Sequence, residues 1–140
     1  MFIDTHMHEM TYSPDSFLKL EEMVRIGKEK GLGALCITDH DSMGLKDYAA
    51  EYTARTGFPI FVGIEFYSLQ GDIVAFGIED YPKERIPAQD FIDLVKHREA
   101  FVLQRIHSAI ITVAWRRIWL WYTAWTVWKY SMEVHLLQHV

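Results

Sequence analysis

Two uninterrupted apolar runs, Ala34-Leu35-Cys36-Ile37-Thr38 and Ile60-Phe61-Val62-Gly63-Ile64, constrain the fold of this chain more than any other feature. A strand with one wet face alternates apolar and polar residues. A run with no charged position has to be covered on both faces, as the strands of parallel sheets are. The segments around the runs supply the cover. Asp15 or Ser16 can cap a helix whose apolar positions Phe17, Leu20, Met23 and Val24 recur at helical spacing. Lys28 and Lys30 suit the C-terminus of that helix, and Gly31 and Gly33 end it. Leu45, Tyr48, Ala49 and Tyr52 predict a second helix over 44–56, closed by Gly57 and Pro59, and Phe91, Ile92, Leu94 and Val95 mark a third. Phe2-Ile3 and Ile73-Val74-Ala75-Phe76 read as further strands, the latter after a turn at Leu69-Gln70-Gly71-Asp72. Strand–helix alternation of this kind predicts an α/β domain with a parallel sheet. A chain of 140 residues, half of them apolar, has room for one such domain.

The polar residues that follow the strands carry the chemistry. His6 and His8 follow the first strand, Asp39, His40 and Asp41 follow the second, and Glu65 closes the third. Parallel α/β folds gather their active sites at strand C-terminal ends. Side chains at i and i+2 of an extended segment point the same way, so His6 and His8 can grip one ion together. Imidazoles with carboxylates suit Zn, Mn or Fe, and such a cluster can generate hydroxide near neutral pH and clamp a phosphoryl group. Each group alone has a plain structural explanation: a surface His-x-His, Asp41 or Ser42 as a helix cap, Glu65 as an edge-strand charge. Their occurrence at three successive strand ends points to one metal site.

Asp4-Thr5-His6-Met7-His8, Ser13-Pro14-Asp15, Ile37-Thr38-Asp39-His40-Asp41 and Gly63-Ile64-Glu65 together resemble the opening motifs of the PHP (polymerase and histidinol phosphatase) superfamily. The resemblance covers about the first hundred residues. It implies a distorted (β/α)7 TIM-like barrel, here its first three to four βα units, with two or three divalent metal ions that hydrolyse phosphoesters. By that resemblance His6, His8, Asp15, His40 and Glu65 match metal ligands, with Glu65 bridging two ions. Asp39 matches a site residue that orients His40 or a bound water, which makes Asp39 and His40 the expected catalytic residues. The implied substrates are phosphorylated small molecules, nucleotides or nucleic-acid ends. The family also implies a histidine in an Ala-His-Pro motif and later His and Asp-x-His ligands, none of which this sequence contains.

Composition breaks near position 102. Residues 1–102 carry a net charge of -8 and residues 103–140 a net +3, and all five tryptophans (Trp115, Trp119, Trp121, Trp125, Trp128) fall in the second part. The expected division is therefore 1–102, the N-terminal part of a PHP domain, and 103–140, a Trp-rich helical tail outside the family pattern. Arg116 and Arg117 interrupt the tail, and Ile118 to Trp128 is too short to span a bilayer, so no stable membrane span is expected. An interfacial aromatic helix is the membrane-surface alternative. His135 and His139 form an i, i+4 pair without companion ligands.

The genetic code offers another account of the tail. When each codon's third base is read with the next codon's first two, Gln104 to Ala109 permit Ala-His-Pro-Phe-Arg, the missing motif at its expected place. Trp and Met have single codons, so Trp125/Thr126 must give Asp, Trp128/Lys129 Glu and Met132/Glu133 Gly. The tail thus reads as out-of-frame sequence after a frameshift near Val102. A chain so altered is expected to be weakly active or inactive, and its incomplete barrel exposes an edge for self-association. A non-catalytic metal-binding module is the rival.

An acidic body argues against broad nucleic-acid binding through a basic surface. The single cysteine, Cys36, fits a reducing compartment, and Met1 runs straight into Phe2-Ile3-Asp4 without a leader-like segment, so a cytoplasmic location is expected.

Overall fold

A computed structural model describes residues 2–98, 100–106 and 109–113. The elements run β1 (Phe2–Met7), α1 (Leu20–Glu29), β2 (Leu32–Ile37), α2 (Lys46–Thr56), β3 (Ile60–Ser68), β4 (Gly71–Phe76), α3 (Ala88–His97), β5 (Phe101–Ile106) and β6 (Ala109–Val113). The strands lie in chain order in one six-stranded sheet. β1, β2 and β3 pair in parallel, as the apolar runs predict. This is a partial TIM-like barrel of mixed α/β type.

The sheet is not parallel throughout. β3 does not close at Glu65 but continues to Ser68, and from Gly63 onward it pairs antiparallel with β4, followed by β5 and β6 in the same sense. Phe66 and Tyr67 are strand formers, and the two-residue turn Leu69-Gln70 returns the chain directly, with Gly71 at φ +132°. Gly63 is required where the pairing changes: a Cβ there would lie 2.5 Å from the Ala75 carbonyl oxygen and 2.6 Å from the Phe76 ring.

α1 begins at Leu20, later than expected, and Phe17 is 86% exposed rather than on its apolar face. Neither Asp15 nor Ser16 caps it. The Ser16 hydroxyl donates to the His8 carbonyl oxygen (2.6 Å), and the Met10 amide donates to the Leu18 carbonyl (3.1 Å), so this stretch is tied back as a loop over the end of β1. α2 likewise lacks a side-chain cap, and Ser42 accepts instead from the Gly44 amide. The tail expected to be helical forms strand at 103–106 and 109–113, and β5 runs across the compositional boundary at 102. The five tryptophans, His135 and His139 lie outside the described residues.

The helices cover one side of the sheet in two apolar clusters. Leu20, Met23 and Val24 of α1 and Ala49 of α2 pack with Leu35 and Ile37 of β2, together with Leu45 and Phe58. Phe91, Ile92 and Val95 of α3 pack on Ile64, Phe66, Ile73, Ala75 and Val102, and the Phe66 and Phe91 rings stack at 4.1 Å. Residues alternate across a strand, so Glu65, Tyr67, Asp72 and Val74 share the opposite face from Ile64, Phe66, Ile73 and Ala75. The Cys36 thiol is buried, and burial, with the Asp4 charge second, pushes it up to about 12. Among the described residues no helix is long and apolar enough to cross a membrane.

Candidate metal centre

His6 lies in β1 and His8 just beyond it, Asp15 in the loop that follows, His40 beyond β2, and Glu65 on the site face of β3. Main-chain bonds put His40 beside Glu65. The two residues form an isolated parallel bridge, with the Glu65 amide donating to the Asp39 carbonyl (3.1 Å) and the Asp41 amide to the Glu65 carbonyl (3.0 Å). Asp41 adopts φ +46°, and its carboxylate accepts from the Tyr67 amide (2.9 Å), so its role is to shape this corner.

The five expected ligands converge. Glu65 Oε2 stands 2.9 Å from His6 Nε2, 2.8 Å from His8 Nε2 and 3.5 Å from His40 Nδ1. His6 Nε2 and His8 Nε2 are 3.0 Å apart. Asp15 Oδ2 lies 3.1 Å from His8 Nδ1 and 3.3 Å from His40 Nε2. Ligand atoms about 2.0–2.2 Å from a shared Zn ion stand roughly 3–3.5 Å from one another. The His6, His8 and Glu65 atoms meet that separation or fall just inside it, so the residues present fit a divalent cation.

Among the described residues, six side chains form three triads whose ligand atoms lie within 4.8 Å of one another: His6/His8/Glu65, His8/Asp15/His40 and His40/Glu65/Asp72. Each pair of triads shares one residue. All six line an open cleft of about 720 Å³ that Asp4 also borders. Burial works to raise the Glu65 carboxyl, but the His6 hydrogen bond and the charges of His6, His40 and His8 outweigh it and hold it below its ordinary value. The exposed Asp15 carboxyl is lowered chiefly by its hydrogen bond to His8.

Asp39 belongs to none of the triads. Its Oδ1 accepts from the Glu9 amide (2.6 Å) and the Ser13 hydroxyl (3.0 Å), and Ser13 Oγ accepts from the His40 amide (3.0 Å). Asp39, Ser13 and Glu9 are all buried. Burial raises the Asp39 carboxyl above its ordinary value, against the two donors. The Ser13–Asp39 link therefore clamps the His8–Asp15 loop to the His40 corner, which makes Asp39 a positioning residue in this geometry. Ser13→Ala would leave the half-buried His40 amide without its acceptor and the buried Asp39 carboxylate with one donor fewer. A loss of about 1–3 kcal/mol in urea unfolding is expected.

Sequence reasoning missed Ser13, Glu9 and Asp72. Ser13 stands in the Ser-Pro-Asp motif, but nothing in its spacing shows that its hydroxyl spans two loops. Asp72 lies in a polar stretch that reads as a turn, and only the register Tyr67↔Asp72 sets it on the face of Glu65.

No curated protein matches the chain. A solved structure of an amidohydrolase from Chromobacterium violaceum, with bound sulfate and no metal, is similar at 32% identity and a TM-score of 0.48. The likeness covers 60% of this chain and 30% of that protein, so this chain spans under a third of that protein's length. The PHP domain family model matches residues 4–133, a span that takes in every residue of the three triads. A chain with this ligand cluster and a match over most of its length belongs to the PHP domain family.

Proposed function

We propose that the chain carries the N-terminal ligand half of a metal-dependent phosphoesterase of PHP type, acting on a phosphorylated small molecule, a nucleotide or a nucleic-acid end. The convergence of His6, His8 and His40 on the Glu65 carboxylate, with Asp15 alongside, carries this reading. His6, His8 and Glu65 would hold one Zn, Mn or Fe ion, with Asp15 and His40 beside it. Divalent ions bound there supply Lewis acidity and acidify a bound water. The chain's own part is to fix those ligands. The Ser13–Asp39 clamp sets the spacing of the His8 and His40 loops, and the main-chain bridge sets His40 against Glu65. The cleft is rich in acids, so a phosphate is drawn to it only through bound cations. The single buried thiol suits a cytoplasmic compartment, and the edge strand β1, paired only with β2 among the described residues, suits self-association.

The frameshift reading gives the function a direct test. The 140-residue chain is expected to turn over p-nitrophenyl phosphate weakly or not at all with Mn²⁺ or Zn²⁺. A version continued from Val102 in the alternative frame is expected to gain at least about 100-fold, the scale on which general acid–base and positioning groups act. His8→Ala should abolish the gain. A restored chain that binds metal but cleaves no phosphoester would establish the non-catalytic module instead. Coding DNA whose alternative frame is broken by stop codons would remove the frameshift reading.

A further inference from the structure

Asp72 is the one member of the three triads that the family motifs leave out. It is the second residue of β4, opposite Tyr67, and Glu65 stands opposite Val74, so Asp72 and Glu65 are diagonal neighbours on the site face of one antiparallel pair. A carboxylate oxygen of Asp72 lies within 4.8 Å of ligand atoms of both His40 and Glu65. The residue is half-buried, and among the described residues no hydrogen bond or ion pair engages its carboxylate.

The charge around it is unbalanced. Asp4, Asp15, Glu65 and Asp72 line the cleft, and no lysine or arginine among the described residues lines it with them. Acids held this close repel one another unless a positive charge stands between them. The three imidazoles already face Glu65 and Asp15, and none pairs with Asp72. A half-buried acid beside an imidazole and a second carboxylate is a donor set suited to a divalent cation.

We propose that Asp72 is a metal ligand, completing with His40 and Glu65 a second divalent-cation site that shares the Glu65 carboxylate with the His6/His8 site. This rests on the metal-centre reading above and extends it. Two adjacent cation positions then come from residues 6–72 alone, without the downstream histidines the family pattern calls for.

Zn²⁺ titration of the full 140-residue chain by calorimetry tests the assignment, beside Asp72→Asn, Asp72→Ser and His6→Ala, with far-UV circular dichroism as the check on folding. Asp72→Asn and Asp72→Ser are expected to lose one equivalent of Zn²⁺, or weaken it at least 10-fold, while the equivalent lost in His6→Ala stays unchanged. With Mn²⁺, the spin-coupled signal of a bridged pair should appear in the parent chain and vanish in both Asp72 variants. Two folded Asp72 variants that keep every equivalent at parental affinity would overturn the role of Asp72 and leave the His6/His8 site standing. A parent chain that binds no Zn²⁺ or Mn²⁺ would overturn the metal centre and this proposal together.

Discussion

Glu65→Gln is expected to lower Zn²⁺ affinity by more than about 100-fold, measured by competition with a chromophoric chelator. Loss of groups that merely orient metal ligands costs about 10–100-fold, and Glu65 sits closer to the chemistry than those. Its Oε2 is the atom on which His6, His8 and His40 converge, and it is only 4% exposed. A glutamine there keeps the shape and removes the buried negative charge on which those imidazoles converge. A 100-fold loss corresponds to about 2.7 kcal/mol. Affinity within a few-fold of the parent would show that Glu65 is not a ligand. The same variant has a pH signature. The Glu65 carboxyl is held below its ordinary value in the folded chain. Its contribution to stability is therefore complete above the unfolded value and is lost as pH falls through the folded one. The parent should lose this part of its stability in acid, and Glu65→Gln should not.

Phe91→Ala is expected to destabilise the fold by about 3–5 kcal/mol, read from guanidinium unfolding. Phe91 is fully buried, and its ring stacks on Phe66 from the antiparallel part of β3. α3 is the helix that packs against β4 and β5. The cavity would open beneath the helix that holds these strands, in the cluster that Phe91 shares with Ile92 and Val95. Stability is typically about 5–15 kcal/mol for a whole domain, so this one change could unfold the chain. A loss below about 1 kcal/mol would mean that α3 is not packed as described.

The cluster of candidate ligands was legible because metal chemistry restricts such sets to few residue types, and because His6, His8, His40 and Glu65 stand where apolar strand runs give out. The parallel half of the sheet was legible for a related reason: a strand covered on both faces can afford no charge along its run. The antiparallel half was harder to read. Glu65 looks like a strand's end, yet the strand runs on, since a single acid on the site face does not interrupt pairing made by the main chain. Phe17 has the spacing of a helix face, but the Ser16–His8 bond holds it in a loop, and spacing alone does not register a hydrogen bond across eight residues. Asp72 shows the same gap, because its neighbours are decided by register with β3.

The His40–Glu65 bridge separates what the chain needs in order to fold from what it needs in order to choose an ion. Those two positions are joined through amides and carbonyls, which every residue but proline supplies in full. Exchanging the histidine at 40 for a carboxylate, or the carboxylate at 65 for a histidine, would change the hardness of the donor set while leaving the frame beneath it intact. Side-chain changes at 40 or 65 are therefore expected to alter which divalent cation the corner would take before they alter the fold.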